Sequence, residues 1–297
     1  DDAWVDRCGR WEKIVHGGEP SSRDWLRDWV VHQLGSAGRT WDARSPYADA
    51  LLPGGQRLHA VFPPASPRGM LVSLRRLARP GTGPPLWGAD PGFGILRRAV
   101  LARQSILLSG ATGAGKTTLA SELLSALPGH ERVVALEDVP ELAPRHGHFL
   151  SLVSRPPNPD GYGGVSLRDL LRQSLRMRPD RLVLGECRGD EVLELLQALN
   201  TGHGGALATI HADSARDALR RVELLCHLAT AGTLTPPLLR DLMAHGLQWV
   251  AHVEREGTVR RVSQILRIEG REGDTLLLRQ VLQRGHGPQP AGDHPRM

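Results

Sequence analysis

The residues best suited to chemistry form one run, Gly110-Ala111-Thr112-Gly113-Ala114-Gly115-Lys116-Thr117-Thr118, which fills every fixed position of the P-loop pattern G-x-x-x-x-G-K-S/T. Three glycines let the backbone curl with its N–H groups turned inward around a polyphosphate, and the positive end of a following helix faces the same anion. Lys116 then reaches the β- and γ-phosphates while the Thr117 hydroxyl sits on Mg²⁺. Among the 37 basic residues only Lys13 and Lys116 are lysines, the rest being arginine. Lysine is thus present where a compact ammonium suits phosphates better than a planar fork.

Chemistry at a bound triphosphate also needs acidic or polar groups, and three stand at the ends of short apolar runs. Arg132-Val-Val-Ala-Leu136 leads to Glu137-Asp138, Arg181-Leu-Val-Leu184 to Gly185-Glu186, and Ala206-Leu-Ala-Thr-Ile210 to His211. Each run reads as a buried strand. In an open α/β sheet ligands bind at the carboxyl edge of the strands, so Glu137, Glu186 and His211 are expected to converge on the P-loop. The competing reading of either carboxylate is a helix-capping or ion-pairing group, and that of a histidine, one of 13 in the chain, is a structural or surface residue. The run before the motif, Ile106-Leu-Leu-Ser109, reads as a strand, and Leu119 to Leu127 has helical spacing, which is the context the motif requires.

Around these residues the chain divides. Residues 4–14 alternate around Gly9 as a small hairpin, Trp25, Leu26, Trp29, Val30 and Leu34 follow a capping box over 21–24 at helical spacing, and 57–62 and 70–74 read as strands. Residues 1–78 are therefore expected to be a small α+β domain, truncated at its start because the chain opens on Asp1 rather than Met. Residues 79–89 hold a Pro/Gly linker, a hinge that would let the first domain move over a nucleotide bound to the second. Residues 90–283 carry a helix over 90–102, the P-loop unit, helices starting near Ser166 and Asp190, others over 213–228 and 236–246, and three strands within 248–282. The tail 284–297 is rich in Gly, Pro and His and is expected to be disordered.

Composition restricts the function classes. With 297 residues, 40% of them hydrophobic, the chain can bury a sizeable core of about two domains. No apolar run approaches the roughly 18 to 20 residues that span a bilayer, and no signal peptide is evident. Cys8, Cys187 and Cys226 lack metal spacing and read as reduced thiols of a cytosolic protein. The net charge of +5 comes with arginines interleaved with Asp and Glu and no basic run, which suits solvated and inter-subunit arginines better than nucleic acid.

Four boxes in order carry a resemblance. The P-loop, Leu136-Glu-Asp-Val-Pro-Glu-Leu142 as an Asp box, Leu182-Val-Leu-Gly-Glu186 as an atypical Walker B, and Thr201-Gly-His203 through Thr209-Ile-His-Ala212 as a His box resemble the secretion ATPase superfamily of type II and type IV secretion and type IV pili. Arg155-Pro-Pro-Asn158, Ser166-Leu-Arg-Asp-Leu170, Arg176-Met-Arg-Pro-Asp-Arg181, Gly185-Glu-Cys-Arg-Gly189 and Gln197 to His203 are most similar to its tight-adherence (Flp) pilus branch. Upstream, 42–46, 52–57 and 61–64 share that style, and Tyr162 stands where the branch carries a basic residue. The resemblance covers about 4–282. It implies a RecA-like P-loop core behind a small α+β domain, a homo-hexameric ring binding ATP and Mg²⁺, and a cytoplasmic motor docked on an inner-membrane platform protein.

The roles expected are then specific. Glu137 and Glu186 are, with Thr117, the candidate Mg²⁺ ligands, Glu137 being the first choice to polarise the attacking water and Glu186 to sit in the Mg²⁺ shell or share that task. His211 senses the γ-phosphate, and His203 is a second polar element of its box. Arg176 and Arg155 are the arginines to act from a neighbouring subunit on the charge that phosphoryl transfer spreads over the γ-phosphoryl. Arg75 and Arg76 contact nucleotide from the first domain. The rival functions are the ATPase of a conjugative or DNA-uptake system, a nucleotide-binding regulator without turnover, and a nucleic-acid-stimulated P-loop protein.

Overall fold

The computed structural model describes residues 3–7, 10–14, 23–76, 86–157 and 161–284. The chain forms two compact units, Asp1–Pro80 with Ser154–Ser166, and Gly81–Val153 with Leu167–Met297. Most of the linker 79–89 and the tail from 285 lie outside the described residues, as do Cys8 and the first two residues of the capping box over 21–24.

In the first unit, strands β1 (Ala3–Arg7) and β2 (Arg10–Ile14) form an antiparallel hairpin. Helix α1 (Arg23–Ser36) and the antiparallel sheet β3 (Tyr47–Leu51), β4 (Gln56–Val61) and β5 (Leu71–Arg76) enclose a small core of Val30, Leu34, Ala50, Leu58, Ala60 and Phe62. Strand β3 was not expected from the sequence: Tyr-Ala-Asp-Ala-Leu buries only Ala48 and Ala50, too little apolar bulk to register as a strand.

The second unit begins with α2 (Pro91–Leu101). Asp90 starts it, accepting from the Gly92 N–H at 2.7 Å, and Pro91 takes the first position, where a missing N–H costs nothing. There follow β6 (Ile106–Ser109), α3 (Lys116–Leu124), β7 (Val133–Glu137), β8 (Phe149–Val153), α4 (Leu167–Ser174), a 3₁₀ turn (Leu175–Met177), β9 (Arg181–Cys187), α5 (Glu191–Asn200) and β10 (Leu207–Ile210). Next come α6 (Ala215–Ala229), α7 (Pro236–Gly246), β11 (Trp249–Glu256), β12 (Val259–Glu272) and β13 (Thr275–Gln283). Strand β8, also unexpected, is an edge strand with a half-exposed face.

One sheet runs in the order β13-β12-β11-β6-β10-β9-β7-β8. Strands β11 through β8 in that order are parallel, and β12 and β13 extend the sheet antiparallel. The central strands are buried along their whole length because helices cover both faces. Alternate side chains divide cleanly: Leu107, Val134, Leu136, Leu182, Leu184, Ala208 and Ile210 pack with α4, α5, α6 and α7. Ile106, Leu108, Val133, Ala135, Val183 and Leu207 pack with α2 and α3. A one-residue slip in any strand would exchange these sets.

Several arginines pair with acids within the chain: Arg168 holds Glu194 at 2.8 Å and Arg240 holds Glu223 at 2.7 Å. Cys187 and Cys226 are buried free thiols, and burial pushes the Cys226 thiol up to about 12. No helix among the described residues is long and apolar enough to cross a membrane.

Candidate nucleotide site

Strand β6 delivers the chain into the P-loop from a fixed platform. The Ser109 hydroxyl donates to the Ala251 carbonyl at 3.1 Å and lies 3.0 Å from His252 Nδ1, locking the last residue of β6 to β11. Gly110 then turns with φ +151°, and a Cβ there would sit 2.4 Å from the Val253 carbonyl, so the position excludes any side chain. Gly115, at φ +102°, starts α3 without any side chain capping its free N–H groups. Ala111, Thr112 and Gly113 form the exposed crest, Ala114 is buried beneath them, and Thr117 and Thr118 lie half-buried on the first helical turn.

Lys116 is buried, and its ammonium donates to the Gly110 carbonyl at 2.8 Å and the Ala111 carbonyl at 3.0 Å. It also lies 3.3 Å from His211 Nδ1. An ammonium can only donate, so Nδ1 must accept and the proton of the neutral ring sits on Nε2. That nitrogen is 3.0 Å from Glu186 Oε1, an acceptor. Glu186 Oε2 in turn accepts from Arg188 at 2.6 Å, and Arg188 lies 3.7 Å from Asp138. A continuous chain, Lys116 to His211 to Glu186 to Arg188, therefore borders the loop. The electrostatics agree with the neutral ring: burial first, and then the Lys116 charge, hold the His211 pKa below its usual value against the pull of Glu186. Burial likewise lowers Lys116, with Glu186 and Glu141 opposing.

Glu137 has a different setting. It is 2% exposed; Oε1 accepts the N–H groups of Glu141 and Leu142, each at 2.8 Å, and Oε2 accepts the Ser151 hydroxyl at 3.3 Å. Burial raises its pKa and these bonds oppose the rise. Both oxygens thus brace the turn after β7, and that turn carries Glu141, a carboxylate whose charge acts on Lys116. Gly185 permits the arrangement, since a Cβ there would lie 2.8 Å from Glu137 Cγ, and the Thr209 hydroxyl ties its carbonyl at 2.5 Å.

The structure thus brings Lys116, His211 and Glu186 together. Arg176 is exposed on the 3₁₀ turn before β9, at the amino edge of the sheet and away from the P-loop, and His203 precedes β10 at that same edge. Arg75 and Arg76, on β5, and Arg155, whose guanidinium donates to the Gly163 carbonyl at 2.8 Å, belong to the first unit. Sequence reasoning gave no role to Arg188 or Glu141, although Glu141 lies within the Asp box and Arg188 within the Gly185–Gly189 stretch.

The residues fit a nucleotide with magnesium. The uncapped helix start, the positive-φ turns at Gly110, Gly113 and Gly115, and a buried ammonium resting on loop carbonyls it could exchange for phosphate suit an anion. Among the described residues no group of three His, Cys, Asp or Glu could hold a metal alone. Mg²⁺ ordinarily binds by one or two protein oxygens plus phosphates and water, which Thr117 and Glu186 could supply.

A family model described as type II/IV secretion system protein matches residues 89–250. The putative conjugal transfer protein Rv3659c of Mycobacterium tuberculosis is 42% identical over 252 residues, 80% of this chain and 70% of that protein. The crystal structure of the VirB11 ATPase from the Brucella suis type IV secretion system in complex with sulphate is 28% identical, covers 90% of this chain and 86% of its own, and superposes with a TM-score of 0.54. The pilus retraction motor PilT with bound ADP, 20% identical, shares the fold with a TM-score of 0.61 over 95% of this chain and 76% of its own. A RecA-like core with a P-loop, the acid and histidine boxes behind it, and these likenesses place the chain in the type II/IV secretion system protein family, the secretion ATPase superfamily.

Proposed function

We propose that this chain is the subunit of a homo-hexameric motor that hydrolyses MgATP to drive a type II/IV secretion or pilus-assembly apparatus. The observation that carries the reading is the chain Lys116–His211–Glu186–Arg188 beside the P-loop. MgATP, when bound, supplies the γ-phosphoryl group and the metal's charge. Lys116 would donate to the phosphates, Thr117 and Glu186 would hold the metal, and His211, oriented by Glu186, would report on the phosphate end. Glu186 is the better placed of the two predicted carboxylates to orient water, with Glu141 close enough in charge to share the task and Glu137 holding the turn that presents it. The motor subunit comprises a first domain, 1–78, the 79–89 linker and an ATPase domain, 90–283. Arg176, at the far sheet edge, acts on a neighbouring subunit's nucleotide.

The finer assignment is the tight-adherence pilus branch, supported by Ser166–Leu170, Arg176–Arg181 and Gln197–His203. The names of the relatives speak for the conjugal-transfer and type IV secretion side as the second reading. In either case the motor works at the inner face of the membrane on a platform protein. Glu186→Gln decides the catalytic core: nucleotide binding should persist while turnover falls by on the order of a hundredfold or more. Turnover at the wild-type level would sink the assignment.

A further inference from the structure

On the side of the P-loop opposite His211 and Glu186 stands a cation that the mechanism above does not use. Strand β12 lies beyond β11, so the sheet order places Arg260 on one flank of β6 and the strands of His211 and Glu186 on the other. The Arg260 side chain lies along Gly115: a Cβ on that glycine would be 2.6 Å from Arg260 Cδ and 3.0 Å from its Nε, with the Trp87 ring 3.2 Å away. Its Nε is buried and has no hydrogen-bond partner, and among the described residues the guanidinium pairs with no carboxylate. The next residue, Arg261, also has a buried Nε without a partner, but its terminal nitrogens pair with Glu254 at 3.5 Å and Glu256 at 3.1 Å, whereas Arg260 has no such pair among the described residues. Trp87, wholly buried beside the same glycine, has an indole N–H without an acceptor as well.

A partly buried guanidinium without an acceptor is costly in the protein alone, and the cost is recovered only when an anion arrives. The anion the neighbouring loop is shaped for is a polyphosphate. Because Gly115 starts α3, its flank corresponds to the inner phosphates, while Lys116 with His211 and Glu186 faces the terminal one.

We propose that Arg260 anchors the inner phosphates of the bound nucleotide from within the same subunit, with Trp87 and Gly115 holding its stem. The proposal rests on the nucleotide reading of the P-loop. Its contribution is the same for diphosphate and triphosphate, so it acts on affinity and not on the chemical step.

The test is titration of N-methylanthraniloyl ADP and ATP into wild type, Arg260→Met, Arg260→Lys and Lys116→Ala, with melting temperatures recorded without nucleotide. Arg260→Met should weaken both nucleotides alike, by about tenfold or more, raise KM and leave kcat unchanged. Its nucleotide-free melting temperature should equal or exceed wild type, since methionine keeps an apolar stem against Gly115 and Trp87 and no side-chain ion pair is lost. Arg260→Lys should recover only part of the affinity, having lost the fork. Wild-type affinity in Arg260→Met beside lost binding in Lys116→Ala would overturn the proposal and leave the site reading intact. A loss confined to ATP would overturn the inner-phosphate placement, and a lowered nucleotide-free melting temperature would make Arg260 a structural residue. Wild-type protein that binds neither nucleotide would overturn the site reading and this proposal together.

Discussion

The proposed role of His211 depends on where its proton sits. With Lys116 as donor to Nδ1 and Glu186 as acceptor from Nε2, the ring is held neutral, and its lowered pKa keeps it so at neutral pH. As pH falls through that lowered value, Nδ1 gains a proton and faces the ammonium as a second cation, so the contact breaks. Turnover should therefore decline on the acid side below His211's usual pKa of about 6.5, and His211→Gln should remove that limb while reducing kcat by on the order of a hundredfold. A pH–rate profile of both proteins checks this; an identical acid limb in the variant would refute it. At the same scale, Gly185→Ala puts a methyl 2.8 Å from Glu137 Cγ. Shifting that buried acid should release the turn of Glu141 and lower kcat, with folding stability reduced by about 1–3 kcal/mol, as overpacking ordinarily costs.

The elements that carry these residues are pinned at the opposite edge of the sheet. Arg181, the first residue of β9, is 2% exposed and its Nε lies 2.6 Å from Glu131, which also holds Arg103 at 3.1 Å. Burial alone would raise the Glu131 pKa, but the hydrogen bonds and charges of Arg181 and Arg103 outweigh it and leave the pKa lowered. A carboxylate whose folded pKa lies below its unfolded value adds stability above the unfolded pKa and loses it as pH falls through the folded one. Denaturant melts should accordingly show Glu131→Ala less stable by about 3–5 kcal/mol at neutral pH, because Arg181 is left buried without its partner. The deficit should shrink as pH falls below the ordinary glutamate value of about 4.3 and the wild-type Glu131 carboxylate itself takes up a proton. A deficit independent of pH would mean the loss is one of packing.

At the scale of the molecule, the exposed Arg176 at the amino edge of the sheet bears on how subunits cooperate. If it completes a site on a neighbouring copy, specific activity should rise with protein concentration and track the appearance of a six-chain mass in light scattering. Mixing in Arg176→Ala subunits should then depress activity out of proportion to their fraction. Activity independent of concentration in a single-chain species would remove arginine action between subunits and the ring with it.

Local signals in the sequence determined the P-loop, the buried strands that end in Glu137, Glu186 and His211, the helices between them and the family. Each depends on residues near one another in the chain: apolar runs, helical spacing and glycines at tight turns. Strands β3 and β8 escaped because small or half-exposed side chains leave little pattern. What only the tertiary structure decided is which of the three strand ends meets the lysine. The order β6-β10-β9-β7 puts His211 on the strand beside the P-loop, Glu186 one strand further and Glu137 a third away, where it holds a turn. Strand order comes from how the crossovers pack their apolar faces on the two sides of the sheet, a balance over the whole core that no short stretch of sequence displays. The same packing brings Arg260, distant in the chain, against Gly115.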